Sequence, residues 1–248
     1  MRRMLSENDI APNALVVFAK PPEPGEVKTR LTDRIDETTA ARLYRAFLRD
    51  TAARVTAVAA SLDEQVTPVL AYTGRPDHPT FEAFWDRDCV GVDQGGGDLG
   101  DKMNRVSRRC LEAGADRVLI VGSDSPTLLN RHYREAYRRL ETTDVVLGPS
   151  FDGGYYLVGM TDPRPAIFEG IDWSTPSVLE QTVRRCRDNQ LLCELIEFWY
   201  DIDTFEDLRR LKFHLLEYLA AGDQTVAPET AEMVRGLDAD GFPGADGS

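Results

Sequence analysis

The chain has 248 residues, of which 42% are hydrophobic and 29% charged, and these values are typical of one large globular α/β domain. Its formal net charge of −13 argues against a nucleic-acid-binding protein, because an acidic surface repels a phosphate backbone. The sequence shows no signal-peptide pattern and no run of about 18 apolar residues, which predicts a cytoplasmic protein that does not enter a membrane.

Strand and helix patterns alternate through the first 140 residues. Short continuous apolar runs indicate buried strands, and apolar residues three or four apart indicate helices, as with Leu99, Met103, Val106 and Cys110. The predicted strands are residues 14–19, 65–72, 88–93 and 117–122, and the predicted helices are residues 38–62, 99–110 and 130–140. This alternation predicts a mostly parallel sheet with helices on both faces.

In the later part of the chain, the predicted strands are separated by fewer residues. The predicted strands are residues 144–148, 155–160 and 191–198, and the predicted helices are residues 177–189 and 205–220. The first two of these strands are too close for a crossover helix, so one of them should run antiparallel. With no interdomain linker, residues 14–220 form one domain, and the apolar-poor ends, residues 1–13 and 221–248, are predicted to be mobile tails.

A stiff basic loop, KPPEPGEVKTRL, follows the first strand. Prolines fix its backbone, Gly25 allows close approach to a ligand, and Lys20, Lys28 and Arg30 supply cationic donors of the kind that hold phosphates. Only four lysines occur in the whole chain, and two of them lie in this loop. The loop is not a Walker A motif, and the alternative is an ordinary solvated surface loop.

A second glycine-rich loop, QGGGDLG, follows the strand at residues 88–93. Consecutive glycines are costly unless the backbone must approach another group closely, and Asp98 is placed to cap the next helix. Backbone N–H groups at a helix start suit a phosphate or a base edge, so Gly95, Gly96, Gly97 and Asp98 are nucleotide-binding candidates. A flexible capped loop explains the pattern equally well.

Carboxylates lie at the end of one strand and before the last helix. Asp124 follows the strand at residues 117–122 and suits a hard divalent ion that also touches phosphates, although it could simply cap a turn. Asp201 and Asp203 point the same way in extended chain and precede Thr204, a candidate N-cap. Such a pair could complete a metal site begun by Asp124.

The segment GPSFDGGYYLVG places two glycines before two tyrosines. Glycines at this position allow a tight turn and an open floor for a bulky ligand, which a tyrosine could line. The alternative is a plain turn followed by core tyrosines.

The order of VVFAKPPEPGEVKTRL, QGGGDLGDKM, VGSDSPTL, LGPSFDGGYYLVG and DIDTFEDL resembles microbial nucleotide-diphospho-sugar transferases of the GT-A fold, often labelled arsenosugar-biosynthesis glycosyltransferases. The resemblance covers about residues 14–220. More distantly, the pattern is similar to phospholactate and molybdenum-cofactor guanylyltransferases. The acidic motif here, S-D-S, departs from the D-x-D of the wider fold in having one carboxylate.

The resemblance implies a single-domain GT-A fold and a role for each motif. It implies that the nucleotide phosphates are held by Lys20, Gly25, Lys28 and Arg30. It implies that Mg²⁺ or Mn²⁺ is bound by Asp124 and Asp203, which with Lys28 are the catalytic candidates. It implies that the sugar or the acceptor is faced by Asp152, Gly153, Gly154 and Tyr155.

Three functions remain open at this point. The first is metal-dependent glycosyl transfer from a nucleotide sugar to a small acceptor, which the open DGGYY segment favours. The second is guanylyl-type nucleotidyl transfer from an NTP to a phosphorylated small molecule, which the basic first loop favours. The third is a non-catalytic nucleotide-binding protein, which would require Asp124 and Asp203 to lie too far apart to share an ion.

Overall fold

The computed structural model describes residues 2–6, 10–62, 65–222 and 226–237. The strands in this part of the chain are β1 (Arg3–Met4), β2 (Asn13–Ala19), β3 (Val66–Tyr72), β4 (Val90–Asp93), β5 (Arg117–Gly122), β6 (Val145–Pro149), β7 (Tyr155–Met160) and β8 (Cys193–Leu195). The helices are α1 (Glu37–Ser61), α2 (Glu82–Trp85), α3 (Leu99–Glu112), α4 (Asn130–Arg139), α5 (Val178–Asp188), α6 (Phe205–Ala220) and α7 (Pro228–Gly236).

All of these strands form one sheet, in the order β1-β4-β3-β2-β5-β7-β6-β8. Only β7 runs antiparallel to its neighbours, β5 and β6, among the strand pairs of the described residues. The short connection between β6 and β7 has no room for a crossover helix, which explains this reversal. The predicted mixed, mostly parallel α/β fold is therefore confirmed.

Helices cover both faces of the sheet because its strands are apolar on both faces. In β2, Leu15 and Val17 face a core that includes residues of α1, α4 and α6. Their neighbours Ala14 and Val16 face a second core, which includes residues of α3 and α5. β2 and β5 pair in parallel, so their carboxyl ends lie side by side. In the described residues, no helix is long and apolar enough to cross a membrane.

One position of the predicted apolar stripe on α3 is not buried. Met103, Val106 and Cys110 pack in the core, but Leu99 is 45% exposed. Leu99 is the first residue of the helix, directly after its N-cap Asp98. The periodicity predicted the face of the helix correctly but not how far the core extends toward its first turn.

The terminal segments contain structure that the sequence did not predict. Arg3–Met4 pairs with β4 inside the expected N-terminal tail. In the expected C-terminal tail, α7 packs against α1 and α6, and Val226, Ala231 and Val234 are buried. The tail residues 1, 7–9, 223–225 and 238–248 lie outside the described residues.

A carboxylate of α1 holds the start of α7. Asp50 is buried and accepts hydrogen bonds from the backbone N–H groups of Glu229 (3.1 Å) and Thr230 (2.8 Å). These are first-turn groups of α7, which have no acceptor within their own helix. The side chain therefore caps a helix that is 180 residues away in sequence.

Replacing Asp50 with alanine should loosen α7, because two first-turn N–H groups, one of them buried, lose their acceptor. We expect the free energy of unfolding to fall by about 1–3 kcal/mol and amide exchange in residues 229–237 to accelerate. Asp50→Asn is the matched control, since its amide oxygen keeps one acceptor. Exchange rates in α7 equal to those of the parent would contradict this role.

Candidate active site at the carboxyl edge of the sheet

One buried lysine joins the two predicted metal carboxylates. The ammonium of Lys28 donates to the carbonyl of Ile202 (2.6 Å) and to Oδ1 of Asp203 (3.1 Å), and it also contacts Oδ1 of Asp124. Its side chain is only 3% exposed. An ammonium has three hydrogens, and these three acceptors match them. Asp124 and Asp203 are therefore brought close enough to share one ion.

Backbone contacts explain why these distant residues meet. Asp124 follows β5, and its carbonyl accepts a hydrogen bond from the N–H of Ile202 (3.0 Å). Asp203 directly precedes Thr204, which caps α6 through a reciprocal capping box with Asp207. The segment before α6 is thus fixed at one end by a helix cap and at the other by the loop after β5.

The local conformation of Lys28 turns its side chain inward. Its backbone lies in the left-handed region (φ 50°), which is uncommon for a residue other than glycine. The ammonium lies over the rings of Tyr44 and Phe47, 5.9 and 5.6 Å from their centroids. Burial of Lys28 excludes the alternative of an ordinary solvated loop at this residue, and no local pattern reveals it, because the partners of Lys28 come from distant parts of the sequence.

The ammonium of Lys28 remains charged in the fold. Burial alone lowers the pKa of Lys28, but the charges and hydrogen bonds of Asp124 and Asp203 outweigh it and raise the pKa above its ordinary value. The contribution of these ion pairs to the free energy of unfolding is therefore fully present below the ordinary lysine pKa. It is lost only as the pH rises through the raised pKa of Lys28.

Acidic groups outnumber cations around this lysine. Burial, with the charges of Asp152, Asp203 and Asp124, raises the pKa of Asp201 to about 7. The nearest additional cation in the described part of the site is Arg30, whose Nη1 lies 3.7 Å from Oδ2 of Asp203. Crowded carboxylates of this kind accommodate a divalent cation. Nevertheless, no group of three or more His, Cys, Asp or Glu side chains within the described ranges is arranged to hold a metal ion by itself.

The first loop is closed on itself. Lys20 donates from its ammonium to the carbonyl of Glu26 (2.7 Å), and Gly25 adopts a left-handed conformation (φ 77°) that makes the turn. Arg30 remains 64% exposed on this loop. Of the predicted phosphate-binding side chains, Arg30 is thus the one that reaches solvent beside the carboxylates.

The glycine loop after β4 is held by hydrogen bonds to the ends of neighbouring strands. The buried amide of Gln94 donates to the carbonyls of Ala19 (3.2 Å) and Ala71 (2.8 Å), which fixes the loop to the ends of β2 and β3. Asp98 caps α3, as predicted. At Gly96 an added Cβ would meet no atom within 4 Å, so this backbone faces open space. A role for Gly95, Gly96, Gly97 and Asp98 in nucleotide binding remains a prediction.

The DGG segment forms a closed turn packed against another loop. Asp152 accepts hydrogen bonds from the N–H of Gly154 (2.9 Å) and from the hydroxyl of Ser150. Gly153 has φ 90°, and an added Cβ would lie 2.1 Å from the carbonyl oxygen of Pro176. Only glycine fits there.

Tyr155 does not approach the Lys28 cluster, which consists of Lys28, Asp124 and Asp203. Its ring packs against Trp173, with centroids 6.5 Å apart, in the core on the opposite face of the sheet from Tyr44 and Phe47. A strand that alternates faces explains this placement. Exposed aromatic surface beside the DGG turn comes instead from Phe151 and Phe198, which stack with centroids 5.7 Å apart and are 69% and 47% exposed.

Sequence reasoning missed two contributors to the site. The carbonyl of Ile202 is a backbone group, which a sequence pattern cannot single out. The hydroxyl of Tyr44 hydrogen-bonds the hydroxyl of Ser123 (2.7 Å) and so secures the residue before Asp124 from α1. Tyr44 lies on the apolar face of α1, so its polar contact gave no signal in the periodicity.

Known structures show the same fold. A protein from Desulfovibrio desulfuricans G20, provisionally described as a nucleotide-diphospho-sugar transferase, is 31% identical, with a TM-score of 0.79 over 92% of this chain and 96% of its own. A CMP:2-keto-3-deoxy-manno-octonic acid synthetase complexed with CTP is 10% identical, with a TM-score of 0.52 over 84% of this chain and 99% of its own.

A third structure, the 4-diphosphocytidyl-2C-methyl-D-erythritol synthase of Anaerococcus prevotii DSM 20548, is 11% identical, with a TM-score of 0.55 over 82% of this chain and 96% of its own. At such low identity, the two synthases show a shared fold only. None of the curated proteins compared with the chain matches it. A family model described as "Uncharacterized protein conserved in bacteria (DUF2064)" matches residues 38–175. The chain therefore belongs to the DUF2064 family, and it has the fold of the nucleotide-diphospho-sugar transferases.

Proposed function

We propose that this protein is a divalent-metal-dependent transferase that moves a glycosyl group from a nucleotide sugar to a small acceptor. The observation that carries the proposal is the meeting of Asp124 and Asp203 at one buried ammonium. Asp124 follows the carboxyl end of β5, and the segment before α6 brings Asp203 to the same edge, which is where open α/β sheets bind their ligands.

The donor set fits Mg²⁺ or Mn²⁺ bound together with a nucleotide. Asp124 and Asp203 offer carboxylate oxygens, and their side chains are 43% and 38% exposed, so both are accessible from solvent. Mg²⁺ is commonly held by one or two carboxylates, with the remaining positions filled by water and phosphate. When bound, such an ion would stabilise the charge that develops on a leaving nucleoside diphosphate.

The protein's own residues would organise the site before the substrate arrives. Lys28 holds Asp124 and Asp203 in one geometry, so little reordering accompanies binding. Arg30 is exposed beside them and can donate to a phosphate. The stacked Phe151 and Phe198 give apolar surface near the DGG turn for the sugar or the acceptor.

The engagement of the loop lysines favours a diphosphate donor over a triphosphate. The ammonium of Lys28 directs all three of its hydrogens to protein acceptors, and the ammonium of Lys20 donates one hydrogen bond within its own loop. Lys28 is therefore not available to a ligand, which leaves the exposed Lys20 and Arg30 as the loop's cations, and a triphosphate carries more charge to neutralise than these two supply. The description of the Desulfovibrio desulfuricans relative supports the same choice.

Thermal unfolding with candidate donors tests this proposal. UDP- and GDP-sugars with Mg²⁺ should raise the melting temperature by about 5–10 °C at saturating concentration, and EDTA should remove the shift. UTP and GTP are the matched competitors. The release of nucleoside diphosphate after addition of acceptor candidates identifies the chemistry. Stabilisation by NTPs alone, followed by pyrophosphate release with a phosphorylated acceptor, would replace glycosyl transfer with nucleotidyl transfer.

A further inference from the structure

A second cleft lies between α1 and α7, away from the Lys28 cluster. Its volume is about 670 Å³, and none of the three residues Lys28, Asp124 and Asp203 lines it. Its basic lining consists of Arg34, which precedes α1, and of Arg42, Arg45 and Arg49, which form one stripe along α1. Such a basic stripe is unexpected on a chain with a net charge of −13.

The four arginines face three carboxylates in this lining, but only one of the arginines is paired with a carboxylate within the described residues. Arg49 pairs with Glu229 (3.2 Å). Asp36 is occupied as the N-cap of α1, where it accepts from the N–H (3.0 Å) and the hydroxyl (2.5 Å) of Thr39. Glu232 is the remaining acid among the described lining residues.

Three guanidinium groups stay available. Arg42 and Arg45 are exposed and have no carboxylate within 4.0 Å in the part of the chain that the structure describes. The guanidinium of Arg34, which also lines the cleft, lies over the ring of Phe205, 5.8 Å from its centroid, and has no carboxylate within 4.0 Å among the described residues. Unpaired arginines gathered around a cavity mark a site for an anion.

We propose that the α1–α7 cleft binds a small linear polyanion, a chain of two or three phosphates. Arg42 and Arg45 lie about one helical turn apart on α1, and Arg49, which also contacts Glu229, lies a further turn along, so the three span about 10 Å of helix and follow an extended chain of charges. The guanidinium fork matches phosphate oxygens in pairs, and the cleft has the volume of a small-molecule site. The chain of phosphates belongs either to an inorganic polyphosphate or to a nucleotide.

Calorimetric titration without metal, using inorganic tripolyphosphate and ATP as probes, tests the assignment. The variant is Arg42→Gln with Arg45→Gln, and the matched control is Arg108→Gln with Arg184→Gln, which removes two exposed helix arginines elsewhere. Arg30→Gln removes the exposed cation of the other site. We expect the double variant to bind both probes at least about tenfold more weakly, with the control and Arg30→Gln close to the parent.

The two probes distinguish the source of the phosphates. Equal affinity for tripolyphosphate and ATP identifies the phosphate chain alone as the ligand, and tighter ATP binding identifies a nucleotide. Both results support the site if the double variant binds the probes more weakly than the parent does. Parent-like binding in the double variant, or a loss confined to Arg30→Gln, would overturn the proposal. Unchanged thermal unfolding of the double variant verifies its fold, because both side chains are exposed.

Discussion

Replacing Lys28 with methionine should lower the free energy of unfolding by about 2–3 kcal/mol and abolish turnover. The substitution keeps an apolar stem against Tyr44 and Phe47 but removes the charge between Asp124 and Asp203. Breaking a fully buried ion pair costs more than this. Here both carboxylates are partly exposed, and water compensates part of the loss.

Denaturant unfolding of Lys28→Met beside Lys20→Met measures this effect. Lys20 is an exposed lysine of the same loop, and its replacement should change stability by less than about 0.5 kcal/mol. Mg²⁺ should restore part of the stability of Lys28→Met, because the two carboxylates then lack their internal cation. If both variants unfold alike, the ammonium does not hold the site together.

Replacing Asp203 with asparagine should reduce turnover about 10²–10³-fold while changing stability by less than about 1 kcal/mol. The amide is nearly isosteric, and Lys28 keeps its contacts with Asp124 and the carbonyl of Ile202. What is lost is the second carboxylate, and with it the affinity for a divalent ion in the presence of substrate.

The readout for Asp203→Asn is the Mg²⁺-dependent rise in melting temperature with a nucleotide sugar. The parent should show this rise, Asp203→Asn should not, and Asp124→Asn should behave in the same way. Asp188→Asn, at an exposed position on α5, is the control for the change in charge. An undiminished Mg²⁺ response in Asp203→Asn would remove this residue from the metal site.

Local patterns predicted most of the secondary structure. β5, β7 and α6 have the bounds that the sequence predicted. Buried strands and amphipathic helices show their hydrophobic pattern within a local stretch of residues. The antiparallel β7 followed from the length of one connection. Chain order alone thus determined the edge of the sheet at which Asp124 lies.

Features that depend on distant partners were not predictable in this way. α7 is short, and its start is held by Asp50, so the residues near 228 did not predict this helix. The closed DGG turn depends on the carbonyl of Pro176, and the burial of Lys28 depends on residues near 124 and 202. The sequence pattern selected Lys28, Asp124 and Asp203 as candidates, but it could not determine that they neutralise one another.

The distance in sequence between the parts of the site has a consequence for protein synthesis. Lys28 contacts the carbonyl of Ile202 and the carboxylate of Asp203, which lie 174 and 175 residues further along the chain. A ribosome delivers the final carboxylate only after every strand of the sheet has been made. A nascent chain or a fragment that stops before residue 199 contains Lys28 and Asp124 but lacks the group that completes the pair. Such incomplete products lack one of the two carboxylates that the proposed metal site requires, so we expect a chain truncated there to show no Mg²⁺-dependent stabilisation by a nucleotide sugar.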